Sequence, residues 1–309
     1  MTRDECILIV VDPTADRHPA IERGMYLAKQ AGMRAELFIC YYNPQLVVAR
    51  FLGAEKLERV KQGYLNDTKE RLTKLAQPYI DDDIDVTVKV AWDWPLYEGI
   101  VRRTLEIDAR FVVKDTHYHS AIARALFTNT DWQLIRSCPA PLWLVNAEHS
   151  FDRPSILAAV DPMHDNDKLA ELDTRILSEA LKLATEMNGV VHVFHAFYPY
   201  INSDDLNIIE EAHESALNEL AGKFEIPEDR VLLRAGDTAD LLPQLVREYA
   251  VDLVIMGAIS RSRLEQAIIG STAENSLDWL PCDVLVIKPK GFISPVTFKA
   301  APLGVILAD

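Results

Sequence analysis

The 309-residue chain predicts an α/β protein built as two tandem, open, doubly wound parallel-sheet domains. Three observations carry this expectation. Apolar runs of strand length alternate with longer segments whose apolar residues recur at helical spacing. The strand runs are apolar throughout instead of alternating, which suits strands covered by helices on both faces. The whole series then starts again: Ile156-Leu157-Ala158-Ala159-Val160-Asp161-Pro162 echoes Ile7-Leu8-Ile9-Val10-Val11-Asp12-Pro13 at a shift of 149.

Taken in order, the first copy opens with a strand at 5–11 ending in Asp12-Pro13, a helix at 20–31 and a strand at 34–42. A long helix at about 54–77, a strand at 85–91 and a helix beginning near Pro95 follow, since proline suits a first helical turn. Strand 111–114, a loop, a helix at about 130–136 and strand 141–145 close the copy. The second copy predicts strand 156–160, helix 171–188, strand 190–196, long helix 204–224, strand 230–234, helix 238–249, strand 253–256, helix 272–280 and strand 284–287. The expected domains are therefore 1–147 and 153–290, with a tail at 291–309. The tail's apolar stretch 302–307 is suited to cover a sheet edge or join a neighbour.

Composition narrows the function. Hydrophobic residues make up 49% and charged residues 26%, the balance of a soluble globular protein with a proper core. The net charge of -15 is uneven: residues 1–150 hold 19 basic and 21 acidic side chains, against 13 and 26 in 151–309, so the halves carry -2 and -13. Such a second half repels nucleic acid, and it opposes a polyphosphate ligand unless a cation accompanies it. No apolar run approaches the roughly 18 residues of a membrane span, and acidic residues precede the first apolar run where a leader would be basic. The expectation is a cytoplasmic protein with no nucleic-acid or membrane partner. Cys6, Cys40, Cys138 and Cys282 are scattered without a CxxC pair and are expected as buried free thiols.

The stretch 256–274, MGAISRSRLEQAIIGSTAE, follows the strand-like run 252–255. A strand runs into Gly257, a polar loop follows, and a helix opens at Gly270-Ser271-Thr272, so backbone N–H groups and a positive helix end converge where an anion would sit. The same residues also suit a tight turn and a serine-capped helix. Asp161 and Gly257 each end a strand and would border the crevice where the winding of the sheet reverses. Asp12 and Asp161 equally suit turn residues before proline. Arg261 and Arg263 are the loop's candidate cations.

The pattern Gly257-x2-Ser260-x9-Gly270-Ser271 resembles the nucleotide loop of the universal stress protein family, G-x2-G-x9-G-[ST]. Asp161-Pro162, the closing run 281–287 and the tandem layout extend the resemblance over nearly the full chain, and segments 130–132 and 138–143 resemble its tandem E group. The resemblance implies strand order 3-2-1-4-5 in each domain and a stress-response regulatory or binding protein without covalent chemistry. It also implies an ATP or other adenine-nucleotide site, with Mg²⁺ to offset charge, at Asp161, Gly257, Ser260, Gly270, Ser271 and Thr272. Serine at 260 departs from the family's glycine, adding a side chain where backbone should meet phosphate. The first copy departs further, with Lys114, His117 and Phe127-Thr128 at the loop positions; only Asp12 and the Thr128 hydroxyl survive. Family members pair through their last strands, so two copies in one chain imply an intramolecular pseudo-dimer, with a homodimer as the other arrangement.

A different class of function stays open: a non-nucleotide scaffold or a binder of apolar ligands, favoured by Ser260, Lys114 and the group Trp92, Trp94 and Tyr97. An ATP-consuming enzyme is disfavoured because no SGGxDS-type loop follows the first strand, which leaves weak ATPase activity as the enzymatic alternative. No catalytic or metal residues are assigned. Lys114, His117 and His119 read as a polar loop without a third metal ligand, and the run 81–83 reads as a turn. His192 and His195 face opposite sides of a strand, one toward the core.

Overall fold

The computed structural model describes residues 4–44, 46, 53–119, 124–126, 128–146, 151–163, 167–198, 203–258 and 280–297. The chain divides into two units, one of residues 1–115, 129–140 and 294–309, the other of residues 116–128 and 141–293.

In the first unit, β1 (Cys6–Val10), β2 (Arg34–Tyr41), β3 (Val86–Trp92) and β4 (Phe111–Asp115) lie parallel in the order β4-β1-β2-β3. Ile7 stands opposite Ala35 on one side and Phe111 on the other. The apolar runs are buried on both faces, as their lack of alternation required. Helix α1 (Pro19–Ala31) starts with proline in its first turn and stops at Gly32, whose φ of 64° provides the left-handed end that a side chain would resist. Helix α2 (Ala54–Asp81) buries only Leu65, Leu72 and Ala76, a single stripe on a long polar rod. Its end supplies the turn expected at 81–83: Asp82 caps the helix and Asp83 takes φ 64°. Helices α3 (Leu96–Glu106) and α4 (Asn129–Ser137) complete the unit. Ser294 Oγ donates to the Ser137 carbonyl at 2.7 Å, so the start of the tail docks on the end of α4. The apolar stretch 302–307 lies outside the described residues.

One expectation changes here. The segment after β4 is a two-stranded hairpin, β5 (His117–His119) with β6 (Arg124–Leu126), pairing His117 with Leu126 and His119 with Arg124, and not a plain loop. Three-residue strands are too short for periodicity to register.

In the second unit, β8 (Ser155–Ala159), β9 (Val190–Phe197), β10 (Val231–Ala235), β11 (Leu253–Gly257) and β12 (Asp283–Ile287) lie parallel in the order β10-β9-β8-β11-β12. Counted within the repeat this is the expected 3-2-1-4-5. Helices α5 (Asp167–Met187), α6 (Ser203–Gly222) and α7 (Thr238–Glu248) accompany it; Asp237 caps α7 by accepting from the Ala239 N–H. The helix expected at 272–280 lies outside the described residues except for Leu280.

Strand β7 (Leu142–Val145) ends the first repeat in sequence, yet it pairs antiparallel with β12, placing Trp143 opposite Leu285. A buried carboxylate fixes this pairing. Asp283, 1% exposed, accepts from the indole N–H of Trp143 through Oδ2 and from the Asn146 N–H through Oδ1, both at 2.9 Å. Asn146 in turn donates to the Leu280 carbonyl at 2.8 Å. The Trp143 ring packs on Phe151 with centroids 5.5 Å apart.

All four cysteines are free and buried, as expected; burial pushes the Cys6 thiol up to about 11. Among the described residues no helix is long and apolar enough to cross a membrane.

Replacing Asp283 by Ala strands two buried donors, and the expected cost is about 2–4 kcal/mol. Trp143→Phe leaves one oxygen of the buried Asp283 carboxylate without this donor and should cost about 1–3 kcal/mol. Urea midpoints of the two variants against the parent check both values and their order.

Candidate functional site

The winding of the second sheet reverses between β8, which continues to β9, and β11, which continues to β12. Asp161, two residues past β8, and Gly257, the last residue of β11, stand at the carboxyl ends of these adjacent strands, so the structure brings together two of the sequence-predicted site residues where open α/β sheets bind ligands. Ser260, Gly270, Ser271 and Thr272, with Arg261 and Arg263, lie outside the described residues.

Helix α5 shapes this end of the sheet. A Cβ on Gly257 would come 2.5 Å from Leu172 Cδ2 and 3.6 Å from Ile176 Cδ1. The close approach is to the end of the Leu172 side chain, so packing under α5 favours a small residue at 257. One residue further along α5, Asp173 accepts the Asp161 N–H at 3.2 Å through Oδ1. Arg175 donates to the carbonyl of Lys288, just past β12, at 2.5 Å. The Lys288 ammonium lies 4.7 Å above the Phe292 ring. Asp173, Arg175 and Lys288 were not legible as site residues, because single charged residues in a helix and after a strand carry no spacing signal.

His195, on β9, is the inward-facing histidine and is 1% exposed. Its Nδ1 lies 3.1 Å from the Val160 carbonyl and 3.8 Å from Asp161 Oδ1, and its Nε2 lies 2.7 Å from Nδ1 of His213 on α6. Burial lowers its pKa, and the adjacent His213 lowers it further, while Asp161 and the Val160 carbonyl oppose them. His192, on the opposite face, is half-buried beside Tyr249 at 5.0 Å between centroids.

The corresponding end of the first unit is occupied by its own side chains. Lys114, at the position of the first loop glycine, pairs with Asp131 Oδ1 at 2.8 Å and donates to the Asp115 carbonyl at 2.9 Å; Asp131 is fully buried. Asp115 Oδ1 accepts the Ala20 N–H at 2.6 Å, placing a carboxylate at the positive end of α1, where an external anion would otherwise bind. Asp12 folds back on Thr14, accepting from its N–H at 2.8 Å and its hydroxyl at 2.6 Å, which makes it a turn residue. Nearby, Trp92 is buried between Tyr41 and Tyr42, with centroids 5.4 and 5.9 Å away. Trp94, 5.8 Å from Tyr42, is 62% exposed. Among the described residues no three His, Cys, Asp or Glu side chains are grouped to hold a metal ion.

The sequence profile of the universal stress protein family matches residues 5–146 and again 154–288. The chain belongs to the universal stress protein family. It carries two such domains in tandem and is similar over nearly its whole length to proteins named universal stress protein E. That of Photorhabdus laumondii is 29% identical over 314 residues, covering 97% of this chain and 99% of the relative. That of Escherichia coli K12 is 27% identical over 305 residues, covering 94% and 96%. Among solved structures, a putative universal stress protein from Pseudomonas aeruginosa shares the fold with a TM-score of 0.74 at 23% identity, over 92% of this chain and 93% of that one. A universal stress protein from Archaeoglobus fulgidus does so with a TM-score of 0.62 at 16% identity, over 93% and 99%.

If Gly257 serves helix packing, Gly257→Ala should cost about 1–3 kcal/mol through overpacking against Leu172. Leu172→Ala in the same chain should recover part of the loss. Thermal unfolding of the single and double variants measures this coupling.

Proposed function

We propose that this tandem universal stress protein is a cytoplasmic stress-response binding protein whose second unit holds one adenine nucleotide, ATP with Mg²⁺, and that it performs no covalent chemistry. The observation carrying the reading is that Asp161 and Gly257 end adjacent strands at the reversal of winding, directly before the loop residues Ser260, Gly270, Ser271 and Thr272. Mg²⁺ offsets the -13 of this half of the chain, which would otherwise oppose the phosphates. In the first unit, the Lys114–Asp131 pair and the Asp115 cap take the place of an anion, so a single nucleotide per chain is the proposal. The antiparallel pairing of β7 with β12 lies within the second unit, and the intramolecular pseudo-dimer is proposed on the tandem layout of the sequence.

A second reading has its own observation. Trp94 and Tyr42 present an aromatic surface on the loops after β3 and β2, which suits an apolar ligand and needs no glycine loop.

Calorimetry with ATP and Mg²⁺ decides between them. The nucleotide reading expects saturable binding to the parent chain, weakened about tenfold or more by Gly270→Val and roughly three- to tenfold by Ser271→Ala. No heat, together with an apolar molecule in place of nucleotide in the denatured extract, would instead support the aromatic surface.

A further inference from the structure

The histidine pair beside Asp161 has a hydrogen-bond geometry that restricts where its protons sit. A carbonyl only accepts, so Nδ1 of His195, 3.1 Å from the Val160 oxygen, carries a hydrogen. The 2.7 Å contact between His195 Nε2 and His213 Nδ1 holds one hydrogen between the two nitrogens and has no room for two. When His195 is neutral, that hydrogen belongs to His213. When His195 is the imidazolium, it donates from both nitrogens and His213 accepts. One arrangement of rings therefore accommodates the pair with and without an additional proton, whereas a second proton sets two N–H groups against each other. Rings linked in this way titrate as a unit in two steps.

Groups from the end of β8, from α5 and from β9 face the pair, and α6 itself carries the exposed carboxylates Glu210 and Glu214 near His213 in sequence. From the end of β8, Asp161 Oδ1 lies 3.8 Å from His195 Nδ1. From α5, Asp173 holds the Asp161 N–H and adds its own field at His195. From β9, Phe197 stacks on His213 at 5.3 Å and offers no charge. The ring centroids lie 5.0 Å apart with 27° between planes, the near-coplanar, edge-to-edge arrangement that an in-plane nitrogen-to-nitrogen hydrogen bond needs. Apolar burial on one side and two carboxylates on the other is the setting of an imidazole whose charge changes with modest shifts of pH.

We propose that His195 and His213 form a proton-responsive pair that regulates anion binding at the strand-end crevice of the second unit. This rests on the nucleotide reading of that crevice and adds its regulation. In the form with His195 as the imidazolium, uptake of one proton places a positive charge within about 4 Å of the Asp161 carboxylate and offsets its repulsion of a phosphate. An anion bound there favours the charged pair in return, so by linkage the anion binds more tightly as pH falls through the first protonation step and more weakly as pH rises through it.

Two measurements on the full-length chain test this: imidazole nitrogen spectra from pH 4 to 8, a range that follows from the lowered His195 pKa, and MgATP binding at pH 5 and pH 7.5. Resonances of His195 and His213 should move together in a first step, and Asp161→Asn should shift that step to lower pH. His213→Gln should leave His195 without the coupled step. MgATP should bind roughly three- to tenfold more tightly at pH 5 than at pH 7.5. His213→Gln should reduce that ratio to the contribution of the nucleotide's own titration. Rings that titrate independently overturn the pair. Coupled rings with a pH ratio unchanged by His213→Gln overturn the regulation. Absence of MgATP binding at both pH values overturns the nucleotide reading and the regulation with it, a failure distinct from that of the pair, which the spectra judge alone.

Discussion

The second sheet depends on a carboxylate held out of water. A parallel sheet of five strands leaves the outer edge of β12 with unpaired backbone groups, an invitation to pair with whatever strand is nearby. Here the edge is closed by β7, and Asp283 fixes the partner by accepting one backbone and one indole N–H from it. A buried charge is tolerated only where it is fully hydrogen-bonded, so this pairing is specific as well as stable. The contacts continue along the amino ends of the strands: the Asp283 N–H donates to the Asp252 carbonyl at 3.0 Å, and Asp252 Oδ2 accepts the Ser155 N–H at 2.8 Å. Acidic residues thus fix strand starts at one end of the sheet, which leaves the other end for chemistry.

At that other end the two repeats differ. The first repeat fills its strand ends with its own ions, Lys114 against Asp131 and Asp115 against α1. The second repeat has α5 pressed onto Gly257, with Asp173 holding Asp161 and Arg175 held by the Lys288 carbonyl. Duplication gave two copies of one frame. Substitution at a few strand ends made one copy self-contained and left the other with the features expected of a ligand crevice. Where the second repeat has Gly257 under α5, the first has Lys114, and its charge is taken up in an ion pair with Asp131.

Most of the fold was legible in the sequence because it rests on local and repeated signals. Continuous runs such as Ile7 to Val11 and Leu253 to Ile255 marked buried parallel strands, and the 149-residue echo ending in Asp161-Pro162 marked the duplication. The β5–β6 hairpin escaped because three residues per strand carry no period. Pairing of β7 with β12 came only from family resemblance, since register between distant strands leaves no mark in either one. Of the site, Asp161 and Gly257 were placed correctly at strand ends, but the packing that favours a small residue at 257 involves Leu172, 85 positions away. The approach of His195 to His213 was equally hidden, because one belongs to a strand and the other to a helix packed on it.

We propose that the second unit holds one nucleotide and the first unit none. Native mass spectrometry of the full-length chain with saturating MgATP measures this directly by counting bound ligands. One nucleotide per chain is the predicted result; two per chain, or none, would contradict the account.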